Sequence, residues 1–167
     1  VGLHLALAGV VMQALFYNPL AEPYVAGVSS GAALGGVVAM TLGMSGAISG
    51  VGLFAFAGAL AMSWIVYVVA RRAGRISMAS LLLTGIALGG LAQAAVTLLV
   101  LRADPYNIRE VLSWLMGSLV RRDWSHVVAM LPYTFIGLFV VARNVRTLNA
   151  LATGEESAHY LGVAVGR

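Results

Sequence analysis

The chain has 167 residues, of which 60% are apolar and 10% charged, and its mean hydropathy is +0.93. A soluble domain carries about 25% charged residues, so these values exclude a water-soluble globular fold and predict an integral membrane protein. There is no Cys and no Lys, and all ten cations are Arg; that excludes a disulfide framework and a GxxxxGK[ST] phosphate loop, which needs its Lys, while a dispersed net charge of +4 gives no nucleic-acid footprint.

Residues 1–17 are apolar and read as a first span, interrupted by His4 and Gln13. Gln13 is expected to bond to a neighbouring helix or to line a pore, and His4 to sit at an interface or a helix contact. Asn18-Pro19 and Glu22-Pro23 then break the chain, because Pro lacks an N–H and disfavours helix in the residue before it. From Pro23 to Ala70 there is no charge, which is too long for one crossing of a core of about 30 Å. The stretch therefore reads as two spans, 25–42 and 47–70, with a turn at Gly43–Gly46. Gly27, Gly31 and Gly35 recur at spacing four and predict a smooth stripe for close helix packing. Trp64 and Tyr67 are expected as interface anchors before Arg71, Arg72 and Arg75.

Ser77 or Ser80 is the expected cap of a fourth span, 79–101. That span carries a small-to-polar stripe of Gly85, Gly89, Gln93 and Thr97, open to two readings: a packing seam or a translocation-lining face. Asn107 with Glu110 predicts a capping box opening an interfacial helix over 107–117. Trp114 and Trp124 suit a headgroup belt. A fifth span covers 127–142, with Pro132 in its first turns. Arg143 and Arg146 end it, and residues 148–167 form a segment that is not membrane-like, in which Thr153 and Glu156 predict a second capping box. The abrupt apolar start and the ending on Gly166-Arg167 predict a piece of a longer chain. Alternating crossings put six Arg on the side of the Arg71–Arg75 loop and four on the other, which favours the first side as cytoplasmic.

Catalytic chemistry is not legible here. His4, His126 and His159 lie in different segments without metal-ligand spacing. The seven Met are scattered core fillers. Adjacent Glu155 and Glu156 point in different directions on a helix. The expected spans hold no Asp, Glu or Arg, which argues against self-powered secondary transport, where such groups serve as relays. A self-contained secondary transporter or channel, or a structural membrane scaffold, stay open on the residues alone.

Four blocks carry a family resemblance: Ala8–Gly36 (AGVVMQALFYNPLAEPYVAGVSSGAALGG), Ser80–Gly90 (SLLLTGIALGG), Trp114–Leu119 (WLMGSL) and Leu148–Val163 (LNALATGEESAHYLGV). The chain resembles the FecCD/BtuC-type permease subunits of ATP-driven importers for ferric siderophores, haem and cobalamin. The resemblance implies an all-α polytopic helical bundle, with five spans here of an expected ten, in the bacterial or archaeal cytoplasmic membrane. It implies no enzyme activity in this chain and no bound cofactor, with ATP and Mg held by a separate ATPase. The implied partners are a second permease subunit (identical or not), two ATPase subunits, and a periplasmic or lipoprotein solute-binding protein, all within membrane lipid. By the same resemblance Leu148, Asn149, Leu151, Gly154, Glu155, Glu156, Ala158, Leu161 and Gly162 are candidates for ATPase coupling. Ser77 and Met78 match a cytoplasmic gate, though Met78 is bulkier than the expected small polar residue. Thr84, Gly85, Gly89, Gln93 and Thr97 fall on a pathway-lining helix, and Arg109, Arg121 and Arg122 are candidates for docking the binding protein.

Overall fold

A computed structural model describes residues 1–24, 26–44, 48–72, 77–120 and 123–154. It contains six α-helices: α1 Gly2–Phe16, α2 Val28–Thr41, α3 Ile48–Arg72, α4 Met78–Arg102, α5 Pro105–Met116 and α6 Trp124–Leu151. Three of them are long and apolar enough to cross a membrane, within α3 (from Gly50), α4 and α6. The expectation of five spans is therefore corrected to three. The reason is length. At 1.5 Å per residue α1 and α2 reach only about 22 Å, short of a core of about 30 Å.

The short helices have identifiable stops. Tyr17 adopts a left-handed φ of 47° at the end of α1, where Asn18 N–H closes back on Gln13 C=O. Asn18 Oδ1 then accepts the N–H of Leu20 and turns the chain toward Pro23. α2 begins only after Gly27, whose φ of 76° suits a residue without Cβ, so Gly27 precedes the helix it was expected to belong to. Gly43, at φ 79°, ends α2 with its N–H on Met40 C=O. α2 lies at the centre of the bundle. Val37, Ala39 and Met40 pack there with Val51 of α3, Val96 of α4 and Val111 of α5.

α4 opens on a reciprocal cap, Ser77 Oγ taking the Ser80 N–H and Ser80 Oγ taking the Ser77 N–H, each at 3.1 Å. α5 differs from expectation at its start. Its N-cap is Asp104 with Pro105 in the first position, so Asn107 lies inside the helix. A Pro at that position loses no helical hydrogen bond and presets φ, which outweighs the Asn107–Glu110 signal. Trp114, expected in a headgroup belt, is half-buried and its ring lies over Gly36 of α2.

α6 is one continuous helix of 28 residues, about 42 Å long. It passes through Arg143 and Arg146 and takes in Leu148, Asn149 and Leu151, which were expected in a separate segment. Pro132 is its ninth residue, past the turns where it costs least, on an exposed flank. Asp123 caps α6, accepting from Ser125 N–H, the Ser125 hydroxyl and His126 Nδ1. The bonds from the side chains of Ser125 first and His126 second hold its carboxyl at about 2. A carboxylate held below its ordinary value stabilises the fold above that value and loses this contribution as pH falls from about 4 to about 2. In thermal melts of the full-length protein across this window, Asp123→Asn should remove part of the wild-type acid sensitivity; identical pH profiles would contradict the cap.

Candidate helix seam and coupling end

The small residues of α2 serve two seams on two of its flanks. Toward α3, a Cβ on Gly31 would fall 2.6 Å from Gly58 C=O, and one on Gly35 would strike Phe54 C=O. Toward α4, a Cβ on Gly27 would fall 2.8 Å from Gly85 C=O, and one on Gly85 would fall 2.9 Å from the carbonyl carbon of Ala26. Ser30 Oγ would meet a Cβ on Gly89 at 3.2 Å. These pairings run α2 antiparallel to α3 and parallel to α4. Gly58 was not singled out in the sequence, although it sits at spacing four from Met62, the other residue facing Gly31.

The stripe on α4 divides. Gly85, Gly89, Ala92 and Val96 are buried, whereas Gln93 and Thr97 are exposed and Thr84 is half-buried. A spacing of four drifts by about 40° per step from the 3.6-residue repeat, so three steps carry Thr97 off the seam that Gly85 begins. Of the two open readings, packing holds for Gly85 and Gly89, while Gln93 and Thr97 stand on an open flank. The Thr97 hydroxyl donates to Gln93 C=O at 3.0 Å. Ser77 and Met78 are half-buried at the N-terminus of α4.

α1 lies along α6 in the same direction. His4 Nε2 is 2.6 Å from Thr134 Oγ1 near one end, and Tyr17 lies beside Gly154 at the other. The hydroxyl of Thr134 gives its proton to Met130 C=O at 2.8 Å, so His4 Nε2–H donates across the seam. His4 is thus a helix contact, and its buried Nδ1 has no hydrogen-bond partner among the described residues. Gln13, by contrast, is exposed and makes no side-chain hydrogen bond there. Polar contacts between membrane helices average about 0.6 kcal/mol, so a double-mutant cycle of His4→Ala and Thr134→Val should give a coupling of about 0.5–1 kcal/mol in unfolding. A coupling near zero would show that this contact does not hold α1 to α6.

Seam by seam, the C-termini of α1, α3 and α6 and the N-termini of α2 and α4 gather at one end of the bundle. Ser77, Met78, Leu151 and Gly154 lie there, and Gly154 takes a φ of 104°. Glu155, Glu156, Ala158, Leu161 and Gly162 lie outside the described residues, as do Arg75, Arg121 and Arg122. Arg109 is exposed on the outer flank of α5, lining an open groove of about 580 Å³ with Ile108, Leu112, Ser113 and Met116. Val111, on the inner flank, is 1% exposed against α2. Among the described residues no group of His, Asp and Glu is placed to hold a metal.

The description of the FecCD transport family matches this chain over residues 1–167. The chain belongs to the FecCD transport family. It is 44% identical to the cobalamin import system permease protein BtuC of Halobacterium salinarum, over 100% of this chain and 45% of that one. It is 41% identical to the hemin transport system permease protein HmuU of Yersinia pestis, over 99% of this chain and 50% of that one. A solved structure described as an inward-facing conformation of a metal-chelate type ABC transporter superposes with a TM-score of 0.83 at 30% identity. That match covers 96% of this chain and 51% of the other. The chain thus spans about half the length of the relatives it matches. As a FecCD member it is a polytopic membrane protein of the bacterial or archaeal cytoplasmic membrane.

Proposed function

We propose that this chain forms part of the non-catalytic permease subunit of an ATP-driven importer for an iron chelate, haem or cobalamin, moving its substrate by alternating access. The observation that carries the reading is the family match along all 167 residues. The named activities of the cobalamin and hemin permeases support this substrate class. The absence of acidic and basic side chains from the interior of α3 and α4 fits a pathway for a bulky solute that is opened by helix movement.

In this reading the end of the bundle that holds Ser77, Met78 and Gly154 faces the cytoplasm. Two ATPase subunits bind there through residues 148–162, and ATP with Mg belongs to them. Packed small-residue seams have few intermediate arrangements, so a push at that end shifts α2, α3 and α4 together. Gln93 and Thr97, on the open flank of α4, face the substrate, and Met78 stands at the gate. Arg109 docks an acidic surface of the solute-binding protein on the opposite side. A second permease subunit completes the pathway. Co-purification of the full-length permease with its ATPase tests this: a stable complex is expected, and a permease that never retains an ATPase would refute it.

A further inference from the structure

One flank of α3 is turned away from both α2 and α4, and its one ring contact to another helix among the described residues is at its edge, where Phe56 packs on Tyr133 of α6 with ring centroids 5.0 Å apart. Val51, Gly58, Met62, Val66 and Ala70 mark the side turned to α2 and α4, and Val51, Met62, Val66 and Ala70 are all under 9% exposed. At 100° per residue, Leu53, Leu60, Trp64, Tyr67 and Arg71 fall within about 60° of one another on the opposite side. All five are open: Leu53 and Leu60 are each 56% exposed, Trp64 is 67% exposed, and Arg71 is also exposed. Read along the helix, this flank passes from aliphatic to aromatic to cationic over about 27 Å. The rings of Trp64 and Tyr67 lie 5.9 Å apart, one turn before Arg71 and Arg72. No carboxylate among the described residues pairs with either Arg.

That order is the order of a lipid monolayer: acyl chain, headgroup boundary, phosphate. We propose that this flank of α3 holds an anionic phospholipid, with its acyl chains on Leu53 and Leu60, its glycerol region at Trp64 and Tyr67, and its headgroup at Arg71 and Arg72. Aromatic side chains favour the boundary because one part of each is apolar and one part polar. Arg favours phosphate because its guanidinium can donate two parallel hydrogen bonds. A protein partner would need an apolar, then aromatic, then acidic surface in the same register, whereas an anionic lipid supplies all three in one molecule. This inference rests on the membrane fold and not on the identity of the transported solute.

The test uses the full-length permease with its ATPase, in nanodiscs of phosphatidylcholine titrated with phosphatidylglycerol. Retained lipid is counted by native mass spectrometry. Each Arg near a membrane surface contributes about a fivefold factor in affinity for anionic lipid. Arg71→Gln with Arg72→Gln should therefore weaken phosphatidylglycerol retention about thirtyfold. Arg71→Lys with Arg72→Lys should keep most of it, which separates loss of charge from loss of fold. Arg143→Gln with Arg146→Gln, on α6 at the same end of the bundle, should weaken it clearly less than the α3 pair; an equal loss would make the effect one of general surface charge and overturn the proposal. Equal retention of the two lipids by wild type, or equal retention by wild type and the double Gln variant, would overturn the proposal. So would displacement of the lipid by millimolar inorganic phosphate, which would make the site one for a soluble anion. Loss of the ATPase from the double Gln variant in lipid-free detergent would assign the two Arg to a protein partner instead.

Discussion

Gly35→Val should leave almost no folded permease in the membrane. A Cβ at this position strikes the backbone of α3 at Phe54 and comes within 3.3 Å of Ala55 Cα. Backbone cannot rotate away as the end of a side chain can, so the two helices must separate, and α2 is the helix around which α3, α4 and α5 pack. Overpacking a closed core costs about 1–3 kcal/mol, occasionally more, and here the same displacement also opens the contacts of Val37, Ala39 and Met40. Gly52, in the same region of α3, is the control: a Cβ there meets nothing within 4 Å. Gly52→Ala should be neutral or raise stability by up to about 1 kcal/mol through helix propensity. Thermal melts of the full-length protein in detergent, with membrane yield alongside, distinguish the two. Equal stability of Gly35→Val and wild type would mean that the α2–α3 seam is not closed.

Leu161→Arg should abolish coupling to the ATPase while sparing the membrane fold. In the proposed reading Leu161 lies on the segment that enters the ATPase, with Ala158 and Val163 as its apolar neighbours in sequence. Burying an unpaired charge in an apolar dock costs several kcal/mol, and 1.4 kcal/mol is tenfold in affinity, so retention of the ATPase should fall by at least about a hundredfold. The melt of the permease alone should not move. Retention of the ATPase with hydrolysis still stimulated by loaded binding protein would place the dock elsewhere.

Much of this architecture can be read from the chain, for reasons that differ from helix to helix. α3 and α4 are framed by Arg and by Ser, and strong frames place boundaries to within a residue or two: 47–70 against Ile48–Arg72, and 79–101 against Met78–Arg102. α2 was overextended because the sequence shows no charge between Pro23 and Ala70, and hydropathy does not report where a Gly turns left-handed. α6 was cut short because Arg143 and Arg146 resemble the end of a span, yet a helix can carry Arg past the bilayer surface without stopping. The four-residue stripe on α4 was visible, but it drifts around the helix and joins residues that the fold separates. Long-range contacts were the least legible. The pairs Gly31–Gly58, Gly36–Trp114 and His4–Thr134 join distant parts of the chain, and no local signal announces them.

The central proposal is that ATP drives this permease through a separate subunit. Uptake of labelled cobalamin, hemin or ferric siderophore into proteoliposomes tests it most directly, using the full-length permease with and without its ATPase and solute-binding protein. One of these solutes should accumulate only when the ATPase, ATP and Mg are present together on the cytoplasmic side of the permease. Accumulation by the permease alone, driven by a proton or sodium gradient, would contradict it.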